Sequence, residues 1–322
     1  MRFSCIIALY FSLFASLAFG ENLEGKIWDT KQQAFIAEKQ LLNHLKKMRF
    51  VLLGEVHDNK SHHDRQAKLL ERLIGSGQAR AVVFEMVDRS KQNAFAIFRG
   101  RFQTPGPDTE SVRHDATGLE ILLDWKNSGW PNWDWYKPLF DIAMLKNLPL
   151  GAGGLSRHDV GAVHKQGLAG LSPDLREILS PWLDIEWPDN LEQRSRREIR
   201  EGHCNALPEN ILPAFSLIQR LRDASMSQSL MEQSLKSLDG QAILIAGNGH
   251  VRNDMAVPYF LLKRGADSVA SVGMLEIRKE LQKPSDYARI YDLDGLPFDF
   301  VIFTKAAERE DPCAMFKQKS EK

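Results

Sequence analysis

Six short apolar runs punctuate the chain: FVLLGE (50–55), AVVFEM (81–86), LPLGAGG (148–154), QAILIAGNGH (241–250), DSVASVGML (267–275) and FDFVIFT (298–304). They are rich in Val, Ile and Phe and lack polar alternation, the pattern of strands buried on both faces. Helical patterns lie between them. SHHDRQAKLLERLIGSG sets Ala67, Leu70, Leu73 and Ile74 on one face and ends in glycines. WYKPLFDIAMLKNL and DMAVPYFLLKRG read as helices before the third and fifth strands. This alternation predicts an α/β fold with a mainly parallel sheet flanked by helices. Two regions break it. Residues 87–118 read as helical and then loop-like, and 158–238 hold helical stretches with almost no strand signal. The expected organisation is an α/β domain from 21–157 and 239–322, with a smaller inserted helical subdomain at 158–238.

The first twenty residues, MRFSCIIALYFSLFASLAFG, place one positive charge, Arg2, before an apolar stretch and small residues at Ala18 and Gly20. This predicts a signal peptide cleaved near Gly20 and a periplasmic or secreted protein; the competing reading is an uncleaved anchor. Cys5 precedes the apolar stretch, so no lipobox is present. No later segment is long enough for a transmembrane span. Two cysteines remain after residue 20, Cys204 and Cys313. They read either as a disulfide, worth about 4 kcal/mol on the chain-entropy model, or as two buried thiols.

Composition narrows the partners. Lys+Arg and Asp+Glu are both 42, which leaves no net field to attract nucleic acid or an anionic membrane. The mixed run EQRSRREIREGH reads as a solvated helix face. Motifs for a zinc protease, a nucleophile-elbow serine, a phosphate loop and a dinucleotide fingerprint are absent.

Candidate chemistry sits where the apolar runs end, because parallel sheets gather ligands at the carboxyl ends of their strands. The first run ends in Gly54-Glu55-Val56-His57-Asp58-Asn59, the second in Glu85, the third in Gly151 to Gly154, and the fourth in Gly247-Asn248-Gly249-His250 before Arg252 and Asp254. Glu55, His57, Glu85 and His250 thus form a candidate acid–base set. His57, His250 and Glu85 also suit a divalent metal. The bland alternative is a buried ion-pair network, with Glu85 paired to Arg252 or His250. Asn59 or Ser61 is expected to cap the following helix, with His63 and Gln66 looking inward and His62 facing solvent. His203, before Cys204, reads as a ligand, a cap or a surface residue. Trp130, Trp133, Trp135 and Tyr136 read as subdomain packing or as a stacking surface for a flat cofactor.

Several motifs together, GEVHDNKSHHDRQ, AVVFEM, WPNWDWYKPLF, EGHCNALP, RDASMSQSL, LIAGNGHVRNDMAVPYFL and the late DPC, resemble the ChaN-like haem-binding uptake proteins of bacteria. That family is related to the TraB and Tiki proteins and, distantly, to erythromycin esterases. The resemblance spans roughly residues 35–316. It implies an α/β fold with a smaller helical domain and an exported protein tied to haem or iron acquisition. It further implies haem stacked face to face across a homodimer with tyrosine ligation, and contact with outer-membrane uptake machinery. Tyr136 and Tyr259 lie within the resembling motifs, and His63 and His203 are the imidazole candidates for haem. The metal-dependent Tiki proteases imply metal roles for His57, His250 and Glu85. One departure is GAGGLSR, where the family pattern places an asparagine near Gly154. The expected function is therefore haem binding. The alternatives are a metal-dependent hydrolase of protease or esterase type and a non-catalytic envelope module that retains the polar set as ion pairs.

Overall fold

The structure is a computed structural model that describes residues 22–75, 80–101, 114–311 and 313–314. The expected signal peptide, 1–20, and most of the loop-like stretch after residue 101 lie outside the described residues.

All six apolar runs are strands, and two short ones precede them. These are β1 (Ile27–Asp29), β2 (Ala34–Ile36), β3 (Phe50–Glu55), β4 (Ala81–Asp88), β5 (Leu150–Gly154), β6 (Ala242–Gly247), β7 (Val269–Glu276) and β8 (Phe300–Thr304). They form one sheet in the order β2-β1-β8-β7-β3-β6-β4-β5. From β8 to β5 every pairing is parallel; β1 runs antiparallel to both β8 and β2. The α/β reading holds, with a small antiparallel edge added to it.

Eleven α-helices surround the sheet among the described residues: α1 (Glu38–Leu45), α2 (Lys60–Ile74), α3 (Gln92–Gly100), α4 (Leu119–Leu122), α5 (Trp125–Ser128), α6 (Trp133–Leu145), α7 (Arg157–Gln166), α8 (Pro173–Leu183), α9 (Asp189–Gly202), α10 (Leu212–Ser234) and α11 (Ala256–Lys263). Both sheet faces are covered, which explains the unbroken apolar runs. Val51, Leu53, Val82, Phe84, Ile243 and Ile245 pack towards α1, α2, α3 and α6. Phe50, Leu52, Val83, Leu244 and Ala246 pack towards α8, α10 and α11. Burying a side chain of this size removes it from water at roughly 1.5–3 kcal/mol each, an upper estimate for a real unfolded chain.

Residues 157–238 hold only helices and 3-10 turns among their regular elements. Their longest helix, α10, lies against β4, β5 and β6, so this stretch supplies part of one face layer. The glycines of β5 allow the close approach. A Cβ at Gly151 would stand 2.7 Å from Ser229 Oγ, and one at Gly153 would stand 3.0 Å from Met226 Cγ. Serines on α10 complete the fit: the Ser225 hydroxyl donates to the Gly153 carbonyl at 2.7 Å. Gly154 has no space for the expected asparagine, because a Cβ there would meet the Glu85 carbonyl at 2.4 Å. The glycine run is thus a seat for a helix.

Candidate functional site

Parallel register brings the strand ends level. Glu55 pairs with Gly247, and Phe84 with Ile245, so Glu55, Glu85 and Gly247 reach the same edge. Around them the fold assembles Glu55, His57, His63, Glu85 and His250, as read from the sequence, together with Tyr136 from the first turn of α6.

Glu55 is the hub of one half. Its Oε1 accepts from His57 Nδ1 at 2.7 Å and from the Tyr136 hydroxyl at 2.6 Å. Its Oε2 lies 3.1 Å from His63 Nδ1. His63 Nε2 in turn donates to the His57 carbonyl at 2.9 Å. Burial would raise the Glu55 carboxyl, but hydrogen bonds from His57 and His63 and their charge bring it down to about 2. Tyr136 is fully buried, and burial together with the Glu55 charge pushes its hydroxyl up, so it stays protonated.

Glu85 is the hub of the other half. Its Oε2 accepts the Gly247 N–H at 2.8 Å, and its Oε1 lies 3.3 Å from His250 Nε2 and 3.7 Å from an Arg222 nitrogen. His250 Nδ1 donates to Asp223 at 2.7 Å. Burial alone would lower the His250 imidazole; the flanking Glu85 and Asp223 carboxylates raise it to about 10. Burial likewise works to raise Glu85, but His250, His57 and Arg222 hold it well below the usual carboxylate range. Burial pushes Asp223 up, against the attraction of His250.

The two halves meet at His57. Its Nε2 lies 4.0 Å from Glu85 Oε2, beyond hydrogen-bond length, and its side chain is 37% exposed. Burial would lower this imidazole too, but the hydrogen bond to Glu55 and the Glu85 charge raise it. Trp130 stands edge-on at 4.9 Å. A Cβ on Gly247 would come within 2.9 Å of His57 Nε2, so the missing side chain keeps this gap open.

Other candidates fall elsewhere. His62 is buried rather than solvent-facing. Its Nδ1 accepts the Val56 N–H at 2.8 Å, so its Nε2 donates to Thr304 Oγ1 at 2.6 Å. Burial drives this histidine down to about 4. Asn59 caps α2, accepting from the Ser61 N–H at 3.0 Å. Gln66 is buried and donates to the Leu53 carbonyl at 3.0 Å and the Gly54 carbonyl at 3.4 Å, so it holds the end of β3. Arg252 is not a partner of Glu85; fully buried, it binds Asp254 and Glu198 and ties the loop after β6 to α9. Tyr259 lies on α11, its hydroxyl donated to the Glu186 carbonyl at 2.6 Å, with Trp187 beside it. His203 follows α9, and the next residue, Cys204, is joined to Cys313 by a disulfide.

Asp223 and Arg222 are site residues that the sequence reading did not assign. Their signal is a charged pair inside a long serine-rich helix, RDASMSQSL. A divalent metal is not supported at this site. Among the described residues no three His, Cys, Asp or Glu side chains are arranged to hold one ion, and both His250 nitrogens face carboxylates. Among the described residues no helix is long and apolar enough to cross a membrane.

Comparison with known proteins gives a family match. The model described as "Haem-binding uptake, Tiki superfamily, ChaN" matches residues 41–261. A solved structure described as cofacial haem binding to ChaN of Campylobacter jejuni is similar over 87% of this chain and 96% of that one, at 18% identity and a TM-score of 0.64. It shows a shared fold. An erythromycin esterase, EreC, covers 92% of this chain and 86% of its own at 13% identity, with a TM-score of only 0.38. No curated protein matches the chain.

Proposed function

Because the chain belongs to the haem-binding uptake family of the Tiki superfamily that includes ChaN, we propose that it is an exported haem-binding protein serving haem or iron acquisition. Family membership is the observation that carries this reading. The Campylobacter ChaN binds haem cofacially, and two haems stacked face to face suit a homodimer in which each protomer covers one outer haem face. Export is supported by the N-terminal apolar stretch behind Arg2 and by the Cys204–Cys313 disulfide, a bond that persists in oxidising compartments. In that setting the protein would work beside outer-membrane haem uptake machinery.

Haem iron takes an accessible nitrogen or oxygen donor beside a flat apolar surface. The strand-end donors do not fit. Tyr136 and His63 are buried and committed to Glu55 or a backbone carbonyl, and His57 Nε2 looks into a gap bounded by Gly247 and Glu85, too narrow for a porphyrin. His203 fits better. Its Nδ1 donates to the Ile199 carbonyl at 2.7 Å, which fixes the tautomer and leaves Nε2 as the lone-pair nitrogen. Phe215 stands edge-on to it at 5.7 Å, and His164 stands edge-on to the same ring at 5.6 Å. Tyr259 is the second donor within reach of solvent, but burial raises its hydroxyl above the ordinary value, which disfavours tyrosinate.

The test is haemin titration of the wild type, His203→Ala and Tyr259→Phe, with sedimentation of each before and after loading. The reading expects a haem-linked dimer and a weakened, blue-shifted Soret band in His203→Ala only. Loss in Tyr259→Phe alone would move the ligand to Tyr259. No Soret shift in any folded sample would end the haem reading.

A further inference from the structure

Helix α9 ends in a turn where a cysteine stands in place of the usual glycine. The cap residue is His203, and the next two residues, Cys204 and Asn205, both take left-handed backbone, at φ 60° and 58°. The Cys204 N–H donates to the Glu201 carbonyl at 2.9 Å and the Asn205 N–H to the Arg200 carbonyl at 2.8 Å, the pair of bonds that closes a helix end. The first left-handed position ordinarily goes to glycine, because a Cβ there crowds the following carbonyl oxygen. Asparagine visits this region readily and cysteine does not. Here Cys204 is held in it while bonded to Cys313.

Cys313 is anchored in turn. It lies just beyond the irregular segment 305–311 that follows β8. The Ala307 N–H donates to Glu276 at 2.9 Å, and Arg309 donates twice to Asp58 and twice to Glu276, each bond 2.7 Å. The segment carries no large apolar side chain, so polar contacts and the disulfide fix its course. Opening the disulfide therefore frees the α9 turn, while the Arg309 clamp keeps Cys313 close enough to bond again. Both cysteines are partly exposed, within reach of a thiol reagent.

We propose that the Cys204–Cys313 disulfide is a redox gate on haem capture: oxidised, it holds the α9 turn that presents His203 Nε2, and reduced, it lets that turn relax and the site is lost. The gate rests on the haem reading with His203 as ligand.

The reductant is a dithiol. One of its thiolates attacks a sulfur of the pair, forms a mixed disulfide and releases the other cysteine, which takes up a proton. The second thiol then displaces the remaining cysteine. Two electrons and two protons have passed to the pair, and the dithiol has become a disulfide. His203 feels the change because it shares the turn. Its backbone N–H and its Nδ1 both donate to the Ile199 carbonyl, at 3.1 and 2.7 Å. When Cys204 leaves the left-handed region the cap residue turns with it, the Nδ1 bond is given up and Nε2 is no longer aimed. A site formed in only a fraction of molecules binds in proportion to that fraction. Such a gate keeps the chain free of haem until the disulfide forms outside the cytoplasm, and lets a dithiol unload it afterwards.

The experiment uses the full mature chain, first oxidised, then reduced with dithiothreitol and freed of the reagent without air. Two double variants isolate the turn. The first, Cys204→Ser with Cys313→Ser, lacks the bond. The second, Cys204→Gly with Cys313→Ser, lacks it but takes left-handed backbone freely. The probe is haemin, read at the Soret band, with amide exchange of residues 203–206 followed in the haem-free proteins. Reduced wild type and the first variant are expected to bind haemin at least about tenfold more weakly than oxidised wild type, the weight of one strained left-handed residue. They should also exchange these amides faster. Re-oxidation should restore the wild type, and the second variant should bind within about threefold of it. Three results overturn the gate and leave the haem reading standing: affinity within about threefold of oxidised wild type in the reduced protein or the folded first variant, weak binding by the folded second variant, or unchanged amide exchange. No saturable Soret shift in oxidised wild type, or full binding by His203→Ala, ends the reading beneath the gate and the gate with it.

Discussion

Replacing Tyr136 with Phe removes one oxygen from the interior and separates the buried hub from any haem site. Tyr136 is fully buried, and its hydroxyl is donated to Glu55 Oε1 at 2.6 Å. Phe keeps the ring, so the packing against Trp125 at 5.1 Å and His63 at 4.2 Å survives and no cavity of methyl size opens. What is lost is a hydrogen bond to a carboxylate, worth about 1.5–3 kcal/mol. Glu55 keeps His57 and His63 as partners, so the loss should not exceed that range. The assay is urea unfolding at pH 7: the midpoint should fall with the slope unchanged. Haemin titration of the same sample should match wild type, because a protonated, buried phenol offers iron no coordination site. A folded Tyr136→Phe protein that loses its Soret shift would refute this placement, as would a stability change under about 0.5 kcal/mol.

Other perturbations give distinct outcomes. His62 has its pKa depressed from 6.5 to about 4, so the unfolded chain binds more protons between those values and stability falls as pH drops from 6.5 to 4, by about 3 kcal/mol at 1.36 kcal/mol per unit; between about pH 7.5 and 4.5 the wild type should lose about 2–3 kcal/mol more than His62→Asn in unfolding measurements. His250 has the opposite sign: raised to about 10, its contribution is complete below pH 6.5 and disappears as pH rises through 10, so Asp223→Asn should be less stable than wild type at pH 6 and approach it above pH 10. Arg252→Met removes charge-assisted hydrogen bonds to Glu198 and Asp254, but Asp254 keeps Arg194 and Glu198 is partly exposed, so the change should cost about 1.5–3 kcal/mol by denaturant unfolding; a loss under about 0.5 kcal/mol would mean the loop after β6 does not depend on this tie.

Much of the site could be read from the chain because the parallel sheet is buried on both faces. Buried strands leave continuous apolar runs, their ends are marked by the first polar residue, and register then makes Glu55, Glu85 and the Gly247–His250 turn neighbours. The residues that escaped belong to helices. Asp223 and Arg222 are more than 130 residues from Glu85 in the chain, and only the packing of α10 on β5 brings them to it. His62 reads as a surface residue because it opens a helix, but that turn is pressed against Thr304 of β8, and the imidazole accepts a backbone N–H there. The strands β1 and β2 have only three residues each, too few for a period to show. The glycines of β5 carry no nucleotide signature because their space is taken by serines and a methionine of α10. A haem site has no comparable pattern in sequence: one donor and a flat apolar surface leave no fixed spacing.

The claim that a haem carrier houses a separate buried polar centre is tested most directly by haemin titration of the wild-type mature chain. The account predicts a saturable Soret shift at one haem per protomer that persists when His57 is replaced by Gln. Absorbance that rises without saturation, or binding that vanishes with folded His57→Gln, would contradict it.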